Sequence, residues 1–237
     1  MGAKRNLVVV GNGMAGARTV EEILARGGAD LFNIAMFGDE PSGNYNRIML
    51  SAVLEGSRQA AEIVLNPLAW YEQNTIRLHA GIRATRIFRF ARRVLGADGS
   101  EEPYDNLIIA TGSRSFIPPL LGLTRSDGSM KPGIFGFRSL DDCHRMAEYA
   151  TGKRRAVVIG GGLLGLECAH GLQRFGLEVH VIHRSPHLMN QQLDSAASAV
   201  LKLLMEEMGV RIHLDADTRA LATTAGLDLP PLDSAPS

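Results

Sequence analysis

Four apolar residues, Leu7 to Val10, run without interruption and stop at Gly11. A short apolar run closed by a glycine predicts a buried strand. Behind it, residues 15–26 carry small or apolar side chains at Gly16, Val20, Ile23 and Leu24, the i, i+4, i+7, i+8 spacing of one helix face. Ile34 to Phe37 predicts a second strand. Leu68 to Gln73 predicts a short helix with Asn66-Pro67 as its cap and first turn. From Ile76 to Ile109 the period shortens, and Ile82, Ala84, Arg86, Phe88 and Phe90 alternate with Arg83, Thr85, Ile87 and Arg89. Asp98-Gly99 marks a hairpin turn between Val94–Gly96 and Glu102–Tyr104. A β-meander is expected there, and then a buried strand from Leu107 to Ala110.

The pattern restarts after a break. Residues 117–133 hold Pro118, Pro119 and Pro132 among several glycines and predict a domain boundary. Ser139 is placed to cap a helix with Asp141 and Asp142 in its first turn. Ala156 to Ile159 is a second apolar run that stops at a glycine. The helix expected after it shows Gly165, Cys168, Ala169, Leu172 and Phe175 on one face and ends at Gly176, before a strand at Val179 to Ile182. Asp194 caps an amphipathic helix with Ala197, Val200, Leu201, Leu204, Met205 and Met208 on one face and Gly209 as its stop. Val210 to Leu214 predicts a third strand. After about Leu221 periodicity ends, and residues 222–237 are expected to form a disordered tail.

Both apolar runs lead into the same turn. Gly11, Gly13 and Gly16 spell G-x-G-x-x-G, and Gly160, Gly162 and Gly165 repeat it 149 positions later. In a strand–turn–helix setting the first glycine permits the tight turn and the second lets backbone approach a pyrophosphate. The third lets helix and strand pack closely, with the phosphates on free N–H groups at the positive end of the helix dipole. One such match is weak evidence; two in matching context predict an α/β chain with two Rossmann-like dinucleotide-binding domains. Two dinucleotides in one chain imply hydride transfer between them. The expected division is a first domain over 1–120 with the inserted meander, a linker over 121–137, and an incomplete second domain over 138–221.

An acid at the end of the second strand of such a fold accepts hydrogen bonds from a ribose diol. Glu40, 29 residues after Gly11, is the candidate, with Asp39 as its competitor. At the corresponding place in the second half stand His183 and Arg184, with no Asp or Glu. An Arg there can take a 2′-phosphate, which points to NADP; the pair can equally face solvent, so NADH and NADPH both stay open. Arg47 suits a phosphate or carboxylate because of its planar fork.

Composition narrows the class. The chain has 237 residues, 25 basic and 25 acidic, for a formal net charge of zero. Bulk charge recruits neither nucleic acid nor a membrane surface. The basic stretches Arg83–Arg93 and Lys153–Arg155 read as solvated faces. No apolar run approaches the ~20 residues of a membrane span, and Met1-Gly-Ala-Lys-Arg5 is not a signal peptide, so a cytoplasmic protein is expected. Cys143 and Cys168 form neither a C-x-x-C pair nor a metal cluster. No side chain stands out as an acid–base catalyst.

Five segments carry a family resemblance: Gly11–Gly16, Asn44–Ser51, Ala110–Ser113, Phe137–Asp142 and Gly160–Glu167. From about Leu7 to Leu221 the chain resembles the FAD- and NAD(P)-dependent pyridine nucleotide oxidoreductases. Within them it is most similar to the flavoprotein part of assimilatory nitrite reductases. The resemblance implies FAD at the first fingerprint, including Met14 and Ala15, and NAD(P)H at the second, including Leu163 and Leu164. It implies Glu40 on the FAD ribose, Arg47 and Ser51 beside the FAD, Ala84 near the adenine, and Ala110, Thr111 and Gly112 close to the flavin dinucleotide. Glu167 would lie on the nicotinamide side. The absence of a C-x-x-x-x-C pair favours relatives that pass electrons outward, to an iron–sulfur or sirohaem module. A rubredoxin or ferredoxin reductase is an alternative. The family's A-x-G-D turn is not found, and the chain is expected to be truncated. That leaves a second alternative, an inactive fragment or one that binds only a nucleotide or a partner.

Overall fold

The computed structural model describes residues 3–222. It forms two compact units, Met1–Ile48 with Gln59–Arg114, and Met49–Arg58 with Ser115–Ser237. In chain order the first unit begins with β1 (Arg5–Val10), α1 (Met14–Ala25), α2 (Gly28–Leu31), β2 (Phe32–Gly38) and β3 (Asn44–Tyr45). The chain contributes α3 (Leu50–Glu55) to the second unit. It then returns for β4 (Val64–Asn66), α4 (Leu68–Gln73), β5 (Arg77–Ala80), β6 (Ala84–Phe88), β7 (Arg93–Gly96), β8 (Glu101–Pro103) and β9 (Asn106–Ile109). The second unit continues with α5 (Leu140–Ala150), β10 (Arg155–Ile159), α6 (Leu163–Gln173), β11 (Glu178–Ile182), α7 (Ser195–Glu207) and β12 (Arg211–His213).

In the first unit the strands β5-β2-β1-β9 make a parallel sheet. The two-residue period of a strand divides its core between two faces. Leu7, Val9, Ile34 and Met36 point toward Val20 of α1 and Tyr71 of α4. Val8, Val10, Ala35 and Phe37 point the other way and enclose Val94 of the meander. The antiparallel meander β6-β7-β8 is thus a lid on one sheet face. Glu102 fastens it: buried on β8, its carboxylate accepts from Arg77 (2.6 and 2.8 Å) and lies 2.7 Å from His79 Nε2, both on β5.

The α4 entry differs from expectation. Pro67 is the N-cap residue, without a side-chain cap. Asn66 is drawn elsewhere, donating to Glu21 (2.9 Å) and accepting from Asn44 (3.0 Å). A buried side-chain amide needs partners of its own and is not free to cap.

In the second unit β10-β11-β12 form a parallel sheet with β10 at its edge. Helix α6 buries Leu166, Ala169 and Leu172, and Gly171 admits α3, since a Cβ there would sit 3.0 Å from Leu54 Cγ. Ser139 and Asp142 make a reciprocal capping box on α5, and Asp194 caps α7 through Ala197 N (2.8 Å), both as expected.

One sequence expectation is corrected, on α7. The unit boundary falls at Arg114–Ser115, and residues 121–137 belong to the second unit. Arg125 donates to Ser129 O (2.8 Å) across an Asp127-Gly128 turn, and Lys131 donates to Leu123 O (3.0 Å). These backbone bonds make a small hairpin where proline content alone suggests a linker. On α7, Met205 and Ser198 are buried, while Val200, Leu204 and Met208 of the expected inner face are exposed. The described sheet is three strands wide, and α7 packs against its edge strand β12. On β10, Val157 is 57% and Ile159 44% exposed, because no strand pairs with its outer edge among the described residues. The tail expected to be disordered lies, from residue 223 on, outside the described residues.

Candidate functional site: two glycine cradles

The first cradle joins β1 to α1. Gly11 has φ +117°, and a Cβ there would lie 2.1 Å from Ala110 O, so β9 approaches too closely for any other residue. Gly16 is equally constrained, its Cβ position being 2.0 Å from Gly11 O. Gly13 is different, with no atom within 4 Å of its Cβ position. Met14 and Ala15 are exposed, while Gly16 and Ala17 are buried, so the first turn of α1 opens outward. Gly13 is the N-cap and offers no side-chain cap. The first N–H groups of a helix need partners, and their dipole end favours an anion.

The second cradle repeats this between β10 and α6. Gly160 has φ +119°, the Cβ position of Gly165 is 2.0 Å from Gly160 O, and Gly162 has nothing within 4 Å. Gly162 is again an N-cap without a side-chain cap. Helices α5 and α7 are capped by side chains, whereas α1 and α6, like the short α2, α3 and α4, are not; α1 and α6 are the two whose uncapped start follows a G-x-G-x-x-G turn. One difference remains: a Cβ on Gly160 would meet nothing, because no counterpart of β9 lies beside β10 among the described residues. Leu163 and Leu164 start α6 and are exposed, and Glu167, half-buried one turn on, has no ion-pair partner among the described residues.

Beyond β2 the chain brings two candidates together. Arg47 donates to Glu40 Oε1 (2.6 Å) and Tyr45 OH donates to Glu40 Oε2 (2.7 Å). Glu40 is therefore a held, part-buried carboxylate. Asp39, half-exposed, is occupied by Arg83 at 2.7 Å. Ala84 pairs with Gly96 at the start of the meander. Ala110 donates to Val10 O (2.8 Å), and Thr111 and Gly112, the latter at φ +69°, leave β9 exposed. Ser51 is carried on α3 and belongs to the second unit.

Sequence reasoning overlooked Asn12 and Tyr71. Tyr71 OH donates to Asn12 Oδ1 (2.7 Å), fixing the middle of the first glycine turn from α4. Burial pushes the Tyr71 hydroxyl up, so it remains a proton donor to Asn12. No spacing rule connects residues 59 apart, and only the aromatic pair Trp70-Tyr71 hints at it. In the second cradle Gly161 takes that middle position, and His183 Nδ1 accepts its N–H at 3.2 Å.

Neither cysteine has the chemistry of a redox centre. Burial, with Asp142 adding to it at Cys143, pushes both thiols up to about 12. Only thiolate attacks disulfides, and at pH 8 the thiolate is roughly one part in ten thousand at that pKa. Ellman's reagent should find no reactive thiol in the native chain and two after unfolding in guanidinium. Native stability should also fall as pH rises from about 9 toward 12, where the unfolded thiols ionise and the buried ones stay protonated.

Comparison with known proteins agrees with this geometry. The chain is 42% identical to a nitrite reductase (NAD(P)H) of Bacillus subtilis (strain 168) over 218 residues, covering 92% of this chain and 26% of the relative. It is 40% identical to the assimilatory nitrate reductase electron transfer subunit of the same organism, covering 95% of this chain and 28% of the relative. The chain thus spans about a quarter of the length of these curated relatives. Among solved structures, the covalent putidaredoxin reductase–putidaredoxin complex matches with a TM-score of 0.83 at 28% identity, over 94% of this chain and 53% of that one. The family model of the pyridine nucleotide-disulphide oxidoreductases matches residues 5–229, and the chain belongs to that family.

Proposed function

We propose that this chain is the nicotinamide-to-flavin part of an electron-transfer oxidoreductase, binding FAD at the β1–α1 cradle and NAD(P)H at the β10–α6 cradle. The observation that carries this reading is the recurrence of one uncapped helix start behind one glycine turn, twice. Hydride transfer from nicotinamide to flavin is the chemistry those two groups supply when bound. The chain's own residues bind and orient. Gly13, Met14, Ala15 and Gly162, Leu163, Leu164 present backbone to the two pyrophosphates; Gly11, Gly16, Gly160 and Gly165 hold the turns. Glu40, with Arg47 and Tyr45 behind it, takes the FAD ribose, and Ala84 and Ala110 to Gly112 line that site. Ser51, which the family resemblance sets beside the FAD, and Glu167, on the nicotinamide side, complete the assignment. Electrons then leave to a separate protein or domain, with the iron–sulfur and sirohaem centres of nitrite reduction as the acceptor. The names of the Bacillus subtilis relatives support that setting.

Purified chain mixed with FAD should retain flavin absorbance through gel filtration and bleach anaerobically with NADH or NADPH. Loss of all flavin on the column overturns the proposal. The edge of β10, unpaired among the described residues, favours a second reading, a nucleotide-binding fragment that needs a partner before it turns over. Bleaching by the isolated chain excludes it. A ferredoxin reductase is the third reading, supported by 32% identity to the ferredoxin reductase component of a Cupriavidus chlorobenzene dioxygenase.

A further inference from the structure

The two cradles can be superposed by one hydrogen bond each. Gly11 N donates to Phe37 O and Gly160 N to Ile182 O, both at 2.9 Å. Phe37 therefore corresponds to Ile182, and the residues that follow correspond in turn: Gly38 to His183, Asp39 to Arg184, Glu40 to Ser185. Where the first site places two acids, the second places an imidazole, a guanidinium and a hydroxyl.

The side chains are set for this difference. Arg184 is exposed and has no carboxylate partner among the described residues, whereas Asp39 and Glu40 are both paired. His183 is folded back on the glycine turn: a Cβ on Gly161 would stand 2.9 Å from His183 Cγ, and Nδ1 accepts the Gly161 N–H. With Nδ1 as the acceptor, Nε2 is the ring's N–H. That Nε2 is buried and has no hydrogen-bond partner among the described residues. Ser185 Oγ accepts from Asn190, and Asp215 meets Ser185 through its backbone N–H. None of His183, Arg184 and Ser185 is an acid that would accept from a ribose 2′-hydroxyl, and a guanidinium fork suits a phosphate.

We infer that the second cradle selects a dinucleotide bearing a 2′-phosphate on its adenosine ribose, with Arg184 as the phosphate contact and His183 as the positioning residue that ties the β11 exit to the glycine turn. The inference deepens the proposed NAD(P)H site and rests on it. Isothermal titration of the full chain with NADP+ and NAD+, and with 2′,5′-ADP and 5′-AMP, separates the two. NADP+ should bind at least about tenfold tighter than NAD+, as one charged hydrogen-bonded contact provides. 2′,5′-ADP should bind more tightly than 5′-AMP by a similar factor. Arg184→Ala should erase the preference and leave NAD+ affinity within about twofold; at an exposed position it leaves the fold intact. Equal binding, a preference for NAD+, or a preference that survives Arg184→Ala overturns the inference while leaving the cradle in place. Binding of none of the four ligands overturns the cradle as well.

Discussion

Gly11→Ala should lose about 2–6 kcal/mol of folding stability, a large share of what a domain of this size has. Two costs combine. A non-glycine residue at φ +117° pays about 1–3 kcal/mol of backbone strain. The new Cβ would also sit 2.1 Å from Ala110 O and 2.5 Å from Ala110 C, and backbone in the neighbouring strand cannot rotate away as a side chain could. Overpacking of that kind typically costs a further 1–3 kcal/mol or so. Gly160→Ala supplies the control. Its φ is nearly the same, +119°, but its Cβ position is open, so only the strain applies. Urea unfolding of the two variants should therefore differ by about 2 kcal/mol, with Gly11→Ala the weaker. Equal losses would mean that β9 does not press on the first turn as described.

This asymmetry explains what could be read from the sequence. Leu7 to Gly16 and Ala156 to Gly165 are alike as strings, and local chemistry predicts both turns. Strand, turn and helix start are set by residues within ten positions of each other, where periodicity and φ preference decide. Ser139 and Asp194 were legible for the same reason, since a cap acts over three residues. What surrounds each turn is set from far away. The pairing of β1 with β9 joins Leu7 to Asn106, and the lack of a similar strand at β10 among the described residues leaves Val157 and Ile159 exposed despite an equally apolar run. An apolar pattern states what a strand can bury, not what is present to cover it. The Met49–Arg58 segment shows the same limit. Its apolar residues Leu50 and Leu54 are buried, but with α5 and α6 in the second unit, a choice no local signal encodes. The link from Tyr71 to Asn12 and the fold of His183 onto Gly161 are likewise tertiary. Glu40 was legible as a candidate; that Arg47 and Tyr45 hold it was not.

The middle glycines should separate the two sites from the fold and from each other. Gly13 and Gly162 have ordinary extended backbone, φ −80° and −85°, and no atom within 4 Å of either Cβ position. Neither is required by the fold. Replacing either by Ala exchanges one weak N-cap for a poorer one, at about 1 kcal/mol or less. A ligand sees a larger change, because the added methyl stands where backbone must come within hydrogen-bonding distance of a pyrophosphate. Losing one hydrogen bond to a charged group costs roughly 1.5–3 kcal/mol, or about tenfold to a hundredfold in affinity. Gly13→Ala should therefore weaken FAD binding by that factor and leave NADP+ binding by calorimetry unchanged. Gly162→Ala should do the reverse. Thermal unfolding of both apoproteins should stay within a few degrees of the parent. The cross-pattern matters more than either loss: a single nonspecific defect would weaken both ligands together, whereas two independent cradles give opposite losses. If Gly13→Ala weakens NADP+ and spares FAD, the assignment of cofactors to cradles is inverted; if each variant weakens both, the cradles do not act separately.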